Sequence, residues 1–169
     1  MKNVLFIVFC LISLSVFADS EWAASDVQVD KPIDIKVYRN PDCQCCHKWM
    51  TYLEDHGFHV IDQPTHNLDA IKEKLGVPSA MHSCHTALVD GYAIEGHVPA
   101  EDIMRLLTQK PDITGLAVPQ MPVGTPGMEM GLRKDNFAVI EFNQAQQYSI
   151  FTTYQVDKNH QYQASTTEE

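Results

Sequence analysis

Residues 33–53 read IDIKVYRNPDCQCCHKWMTYL, and the period of the pattern changes midway. Through residues 33–40 apolar and polar side chains alternate, the period of a strand with one face buried. Asn40 is a helix-capping type, and Pro41 and Asp42 suit a first helical turn. Beyond them Cys46, Trp49, Met50 and Leu53 fall at i, i+3, i+4 and i+7, one apolar stripe of a helix that ends at Gly57. Three of the chain's five cysteines, Cys43, Cys45 and Cys46, sit where strand gives way to helix. Cys43 and Cys46 are three apart and share a helical side, which leaves Cys45 pointing elsewhere unless the first turn is irregular. A helix start favours thiolates, because its unpaired N–H groups and dipole stabilise negative charge. Thiolates serve both as nucleophiles and as soft-metal ligands, and the spacing alone fits either use.

Working outward, FHVIDQPT (58–65) is the next strand, and NLDAIKEKLG (67–76) is a short helix between Asn67 and Gly76. Residues 86–98 hold two apolar runs around Asp90-Gly91, a strong hairpin signal. Pro99 then opens AEDIMRLLTQ, an amphipathic helix carrying Ile103, Leu106 and Leu107. The order strand–helix–strand–helix–hairpin–helix, with thiols after the first strand, is that of an α/β, thioredoxin-like domain. Residues 115–131 are rich in Gly, Pro and Met and read as irregular. The runs NFAVIEF and QYSIFTTYQV predict a C-terminal hairpin added to the sheet. The chain thus divides into a signal peptide (1–18), a linker (19–32), a thioredoxin-like metal-binding domain (33–131), a hairpin extension (132–156) and a polar tail (157–169).

In such a domain the loop before the third strand lies against the cysteines at the first helix and usually carries a cis-proline. With 86–89 as that strand, His85 takes the proline's place and Cys84 faces Cys43, Cys45 and Cys46. A disulfide reductase needs two thiols there; four soft donors, with Met81, His82 and His85 near, suit Cu(I) better. Zinc is the rival, since four cysteines also make a structural zinc site, although only one Cys-x-x-Cys pair is present. Two structural disulfides are the plain alternative, but bridges within 43–46 would close very short loops for little entropic gain. His97 reads either as a neighbour of the site or as a cap of the following helix. Met121, Met128 and Met130 offer thioethers from an irregular loop, or simply cover the core. His47, His56, His59, His66 and His160 read as surface residues, and Met50 and Met104 as core.

The net charge of −10, without any basic run, argues against a nucleic-acid or anionic-membrane surface. Residues 1–18 carry Lys2, an apolar run from Val4 to Val16 and permissive residues at Val16 and Ala18, the pattern of a secretory signal cleaved after Ala18. The run is too short for a membrane span, so no membrane insertion is expected after cleavage. Cys10 leaves with the signal, and four cysteines enter an oxidising setting, here a bacterial periplasm.

Three stretches, YRNPDCQCCHKW, LGVPSAMHSCHTALVDGYAIEGHVPAEDIMRLL and GLAVPQMPVGTPGMEMG, together resemble the periplasmic CopG-type copper-resistance proteins, formerly described as a domain of unknown function. The likeness runs from Ile33 to Gly131. It implies a thioredoxin-like fold that binds copper through Cys43, Cys45, Cys46 and Cys84 and acts in copper detoxification, with copper redox chemistry as an extension. Gln44 departs from the pattern, standing where a glycine is common. The expectation is therefore an exported protein holding Cu(I), as one ion or a small thiolate-bridged cluster, with His82, His85, His97, Met121, Met128 and Met130 as secondary ligands. Metal binding is favoured over turnover. Periplasmic copper chaperones or exporters are the expected partners. The rival is a thiol–disulfide oxidoreductase of thioredoxin type using Cys43 and Cys46.

Overall fold

The computed structural model describes Trp22 and residues 31–166. The signal peptide and most of the linker lie outside the described residues. The alternating stretch forms strand β1 (Ile33–Arg39), with Ile35 and Val37 fully buried. Helix α1 (Gln44–Asp55) follows and buries the expected stripe of Cys46, Trp49, Met50 and Leu53. Its N-cap is Cys43 rather than Asn40. The Asn40 side chain instead accepts the Asp42 N–H (3.1 Å), so it shapes the turn before the helix.

Strand β2 (Phe58–Pro64) runs parallel to β1. Helix α2 (Leu68–Lys74) and one 3-10 turn at Ser79–Met81 lead into β3 (His85–Val89), antiparallel to β1. The two-residue turn Asp90-Gly91 joins β3 to β4 (Tyr92–Glu95), and α3 (Ala100–Gln109) follows. Up to this point the order of elements is the expected one.

The C-terminal part is larger than a hairpin. Gly115–Ala117, inside the stretch read as irregular, is strand β5, parallel to β4. Strands β6 (Phe137–Phe142) and β7 (Tyr148–Val156) form the expected hairpin, and β6 pairs with β5. The polar tail then contributes β8 (Tyr162–Thr166), antiparallel to β7. Among the described residues the fold is mixed α/β, with three α-helices and one eight-stranded sheet ordered β2-β1-β3-β4-β5-β6-β7-β8. None of the described helices is long and apolar enough to cross a membrane.

Adjacent strand residues point to opposite faces, and the core divides accordingly. Ile94 joins Ile35, Val37, Trp49, Leu53, Ile103 and Leu106 under α1 and α3. Ala93 joins Val77, Met81, Ala117 and Phe142 on the α2 side. The added strands are tied to the first face by Asp102 of α3, which accepts from the hydroxyls of Thr152 (2.5 Å) and Tyr154 (2.8 Å) and from Arg105 (2.9 Å). The Trp22 indole packs against the rings of Tyr52, Phe137, Tyr154 and Tyr162 and donates to the Gly124 carbonyl (2.8 Å).

Candidate metal centre

Strand β1 delivers Cys43 to the tip of α1, and the turn after Met81 delivers Cys84 to the head of β3. Antiparallel pairing of Arg39 with His85 brings the two ends level. Cys43 and Cys46 are bridged, with Cα atoms 5.4 Å apart. Cys45 Sγ lies 3.6 Å from Cys43 Sγ and 3.7 Å from Cys84 Sγ. All four sulfurs fall within 4.8 Å of one another. Cys45 therefore does not point away from Cys43, as helical spacing implied. Cys43 has extended backbone angles (φ −75°, ψ 101°), so helical geometry starts only at Gln44 and the three-residue rule does not reach back to it. Gln44 begins the helix as an ordinary helical residue.

A second cluster shares Cys84. Its Sγ lies 3.1 Å from His97 Nε2 and 3.3 Å from His85 Nδ1. His97 Nδ1 faces the Pro126 carbonyl at 2.8 Å. A carbonyl only accepts, so Nδ1 carries the proton and the Nε2 lone pair is turned to the Cys84 thiol. Burial lowers the His97 pKa to about 4, against a smaller opposing effect of the Pro126 hydrogen bond. His85 is pulled well below its usual value by burial first, then by the nearby His97 and Lys72. Burial, followed by the neighbouring Cys45, pushes the Cys84 thiol up to about 12. At neutral pH the arrangement is thus a protonated thiol donating to a neutral imidazole. His85 stacks on Trp49 (centroids 4.3 Å apart), and its buried Nε2 makes no hydrogen bond among the described residues.

The methionine loop wraps the site. Ser83 donates its hydroxyl to the Gln120 carbonyl, Pro126 holds His97, and Gly127 lies against the backbone of Cys45 and Trp49. Met121 and Met130 are 50% and 64% exposed, and Met128 is half-buried. His82 is also half-buried and belongs to neither close cluster of the described residues.

Three charged residues behind the site escaped the sequence reading. Arg39 is buried, pairs with Asp62 (2.6 Å) and donates to the carbonyls of Asn40 (3.1 Å) and Pro41 (2.9 Å). Lys72 of α2 pairs with Glu95 of β4, both out of contact with water. A signal existed for Arg39, which shares strand parity with Ile35 and Val37, and for Glu95, which shares it with Ala93. Lys72, in a short helix of mixed charge, gave none.

Comparison with known proteins places the chain beside two solved structures and one family model. A family model described as "Protein of unknown function, DUF411" matches residues 81–128. No curated protein is matched. Two solved structures titled copper resistance protein CopG are similar to this chain. Form 2 is 45% identical, covering 74% of this chain and 100% of its own, with a TM-score of 0.71. Form 1 is 46% identical, covering 73% and 98%, with a TM-score of 0.70.

Proposed function

This chain belongs to the family of copper resistance protein CopG, and on that premise we propose that it is an exported, periplasmic protein that holds Cu(I) through Cys43, Cys45, Cys46 and Cys84. The observation that carries the reading is the meeting of four sulfurs from two distant segments within 4.8 Å. Thiolate sulfur is a soft donor that selects Cu(I) over harder ions, and bridging thiolates accommodate more than one ion. The thioredoxin-like core made by β1–β4 and α1–α3 would serve as the frame. His97 and His85 are placed to add imidazole nitrogen from the Cys84 side. His82 stands outside both close clusters, and Met121, Met128 and Met130, on the loop that wraps the site, would meet copper on its way in or out. Three of the four cysteines are only partly buried, so copper chaperones or exporters would have access to the sulfurs.

The bridged pair adds a redox aspect. Two Cu(II) ions meeting the reduced Cys43–Cys46 dithiol would each take one electron, leaving two Cu(I), the disulfide and two released protons. Binding through all four sulfurs needs the bridge reduced. That same bridge favours a second reading, a thiol–disulfide oxidoreductase in which Cys43 and Cys46 exchange with a substrate disulfide and copper plays no part.

Titration of the reduced protein with Cu(I) against a competing chelator separates these readings. Sub-micromolar binding that weakens at least tenfold in Cys43→Ser and in Cys84→Ser is the expected result. Micromolar or weaker binding, or binding indifferent to both substitutions, would overturn the copper reading. Stronger retention of zinc than of copper would replace Cu(I) by the rival ion. Efficient reduction of insulin by metal-free protein, with Cys45 and Cys84 dispensable, would establish the oxidoreductase.

A further inference from the structure

The buried charges behind Cys84 have a geometry that a stabilising ion pair does not need. The Glu95 carboxylate, 0% exposed, accepts three donors: the Ser83 backbone N–H (2.5 Å), the Thr86 hydroxyl (2.6 Å) and the Lys72 ammonium. Lys72, 2% exposed, also donates to the Thr86 hydroxyl oxygen at 2.9 Å. Ser83 precedes Cys84 and Thr86 follows His85, so one carboxylate grips both flanks of the Cys84-His85 pair. The Gly96 N–H on the His85 carbonyl (3.0 Å) closes the frame from the neighbouring strand. Lys72 is the buried residue of α2, so that helix delivers a cation to the back of the Cys84 turn.

We propose that the Lys72–Glu95 pair positions Cys84, holding its sulfur in register with Cys45 and with the His97 imidazole. Desolvating two charges costs more than their attraction returns unless further hydrogen bonds are made, and apolar pairs of equal volume commonly stabilise as well or better. Stability alone therefore does not call for a charged pair at this place. An apolar pair could not accept the Ser83 N–H and the Thr86 O–H, and those two bonds set the path of the backbone through Cys84. The sulfur contacts they control are short, 3.7 Å to Cys45 and 3.1 Å to His97, so a shift of about an ångström would break them. Arg39 does the corresponding work on the other side, where its guanidinium grips the Asn40-Pro41 turn ahead of Cys43. Each cysteine-bearing segment has its own brace, and the two share no residue.

The copper part of this inference rests on the proposed function; the positioning part does not, and it is tested without metal. In the full chain carrying Cys43→Ser and Cys46→Ser, Cys45 and Cys84 remain as the thiols of the site. Their disulfide formation under a fixed diamide concentration reports how well Cys84 is held. Glu95→Gln should slow that reaction at least tenfold, and so should Lys72→Met with Glu95→Leu, which leaves no unpaired buried charge and keeps the test sound if Glu95→Gln does not fold. Ile103→Val, a mild core change away from the loop, should leave the rate within twofold. In the otherwise unaltered protein, Glu95→Gln should weaken Cu(I) about 10- to 100-fold, the range for residues that orient metal ligands. A folded double variant that crosslinks at the parental rate overturns the proposal, as does equal slowing by Ile103→Val. Slowed crosslinking in a protein that proves not to bind copper would sink the copper reading and uphold the positioning role.

Discussion

Replacing Gly127 by alanine would set a methyl group 2.7 Å from the backbone nitrogen of Trp49, 3.1 Å from its Cα and 3.2 Å from the Cys45 carbonyl oxygen. Each is an atom of the first turns of α1, and none can swing aside as a side-chain tip would. Gly127 also has φ +81°, where an L-residue costs roughly 1–2 kcal/mol. Overpacking against a fixed wall adds about 1–3 kcal/mol. Gly131 supplies the matched control, because its φ is +72° but a methyl there meets nothing within 4 Å. Gly131→Ala should therefore show the backbone cost alone, and Gly127→Ala about 3 kcal/mol in all. At about 2–4 °C per kcal/mol for a chain of this size, the Gly127 variant should melt roughly 6–12 °C below the parent. Urea unfolding followed by tryptophan fluorescence measures both variants. The retreat of the loop should also pull the Pro126 carbonyl from His97 and change the Cu(I) affinity, which Gly131→Ala should leave alone. Equal destabilisation by the two substitutions would refute the claim that the methionine loop is pressed onto the tip of α1.

Two other outcomes follow from the buried polar groups. With the Cys43–Cys46 bridge intact, Cys45 and Cys84 are the free cysteines of the described chain, and the Cys84 thiol stands near 12 instead of 9.0. Its thiolate fraction at pH 8 is then about a thousandfold below that of an ordinary thiol, partly offset by greater nucleophilicity, so iodoacetamide should label it roughly 30- to 60-fold more slowly than in the denatured chain. The rate should climb about tenfold per pH unit. Because the folded state holds this proton more tightly, the thiol's contribution to stability is complete below pH 9 and is lost as pH rises towards 12. Labelling at the denatured rate at pH 8, followed by mass spectrometry, would contradict this. Asp102→Ala removes the shared acceptor of Thr152, Tyr154 and Arg105 and should cost about 3 kcal/mol in urea unfolding; a loss below about 1 kcal/mol would show that the added strands do not depend on that carboxylate.

Much of the fold could be read in the chain because its elements announce themselves by period. β1, α1, the Asp90-Gly91 hairpin and α3 all have one clear buried face. β5 did not, since Gly115-Leu116-Ala117 is too short to show alternation and is made a strand by its neighbours on either side. β8 failed differently: from Gln163 to Thr166 its side chains are exposed, so backbone pairing with β7 holds it, and such pairing leaves no hydrophobic trace. The approach of Cys84 to the trio was readable because the placement of one loop against one helix tip follows from the order of elements. The bridging position of Cys45 was not, because it depends on where helical geometry begins, a matter of a single residue. Lys72 stayed hidden for a general reason: a buried charge has the same letter as an exposed one, and in a short helix of mixed charge only its partners reveal it.

The continuous sheet has a further consequence. Were the chain to stop after α3, β4 would present its outer edge with Ala93 and Ile94 beside it, an open row of N–H and C=O groups flanked by apolar side chains and apt to recruit a strand from another molecule. The added strands close that row and hand the edge role to β8, five residues long and clothed in Gln163, Ser165 and Thr166. At the opposite margin, β2 ends in Asp62, Gln63 and Pro64, a charge and a ring that discourage docking. A chain that gathers oxidisable sulfur at one helix tip thereby carries its own protection against fibril-like stacking.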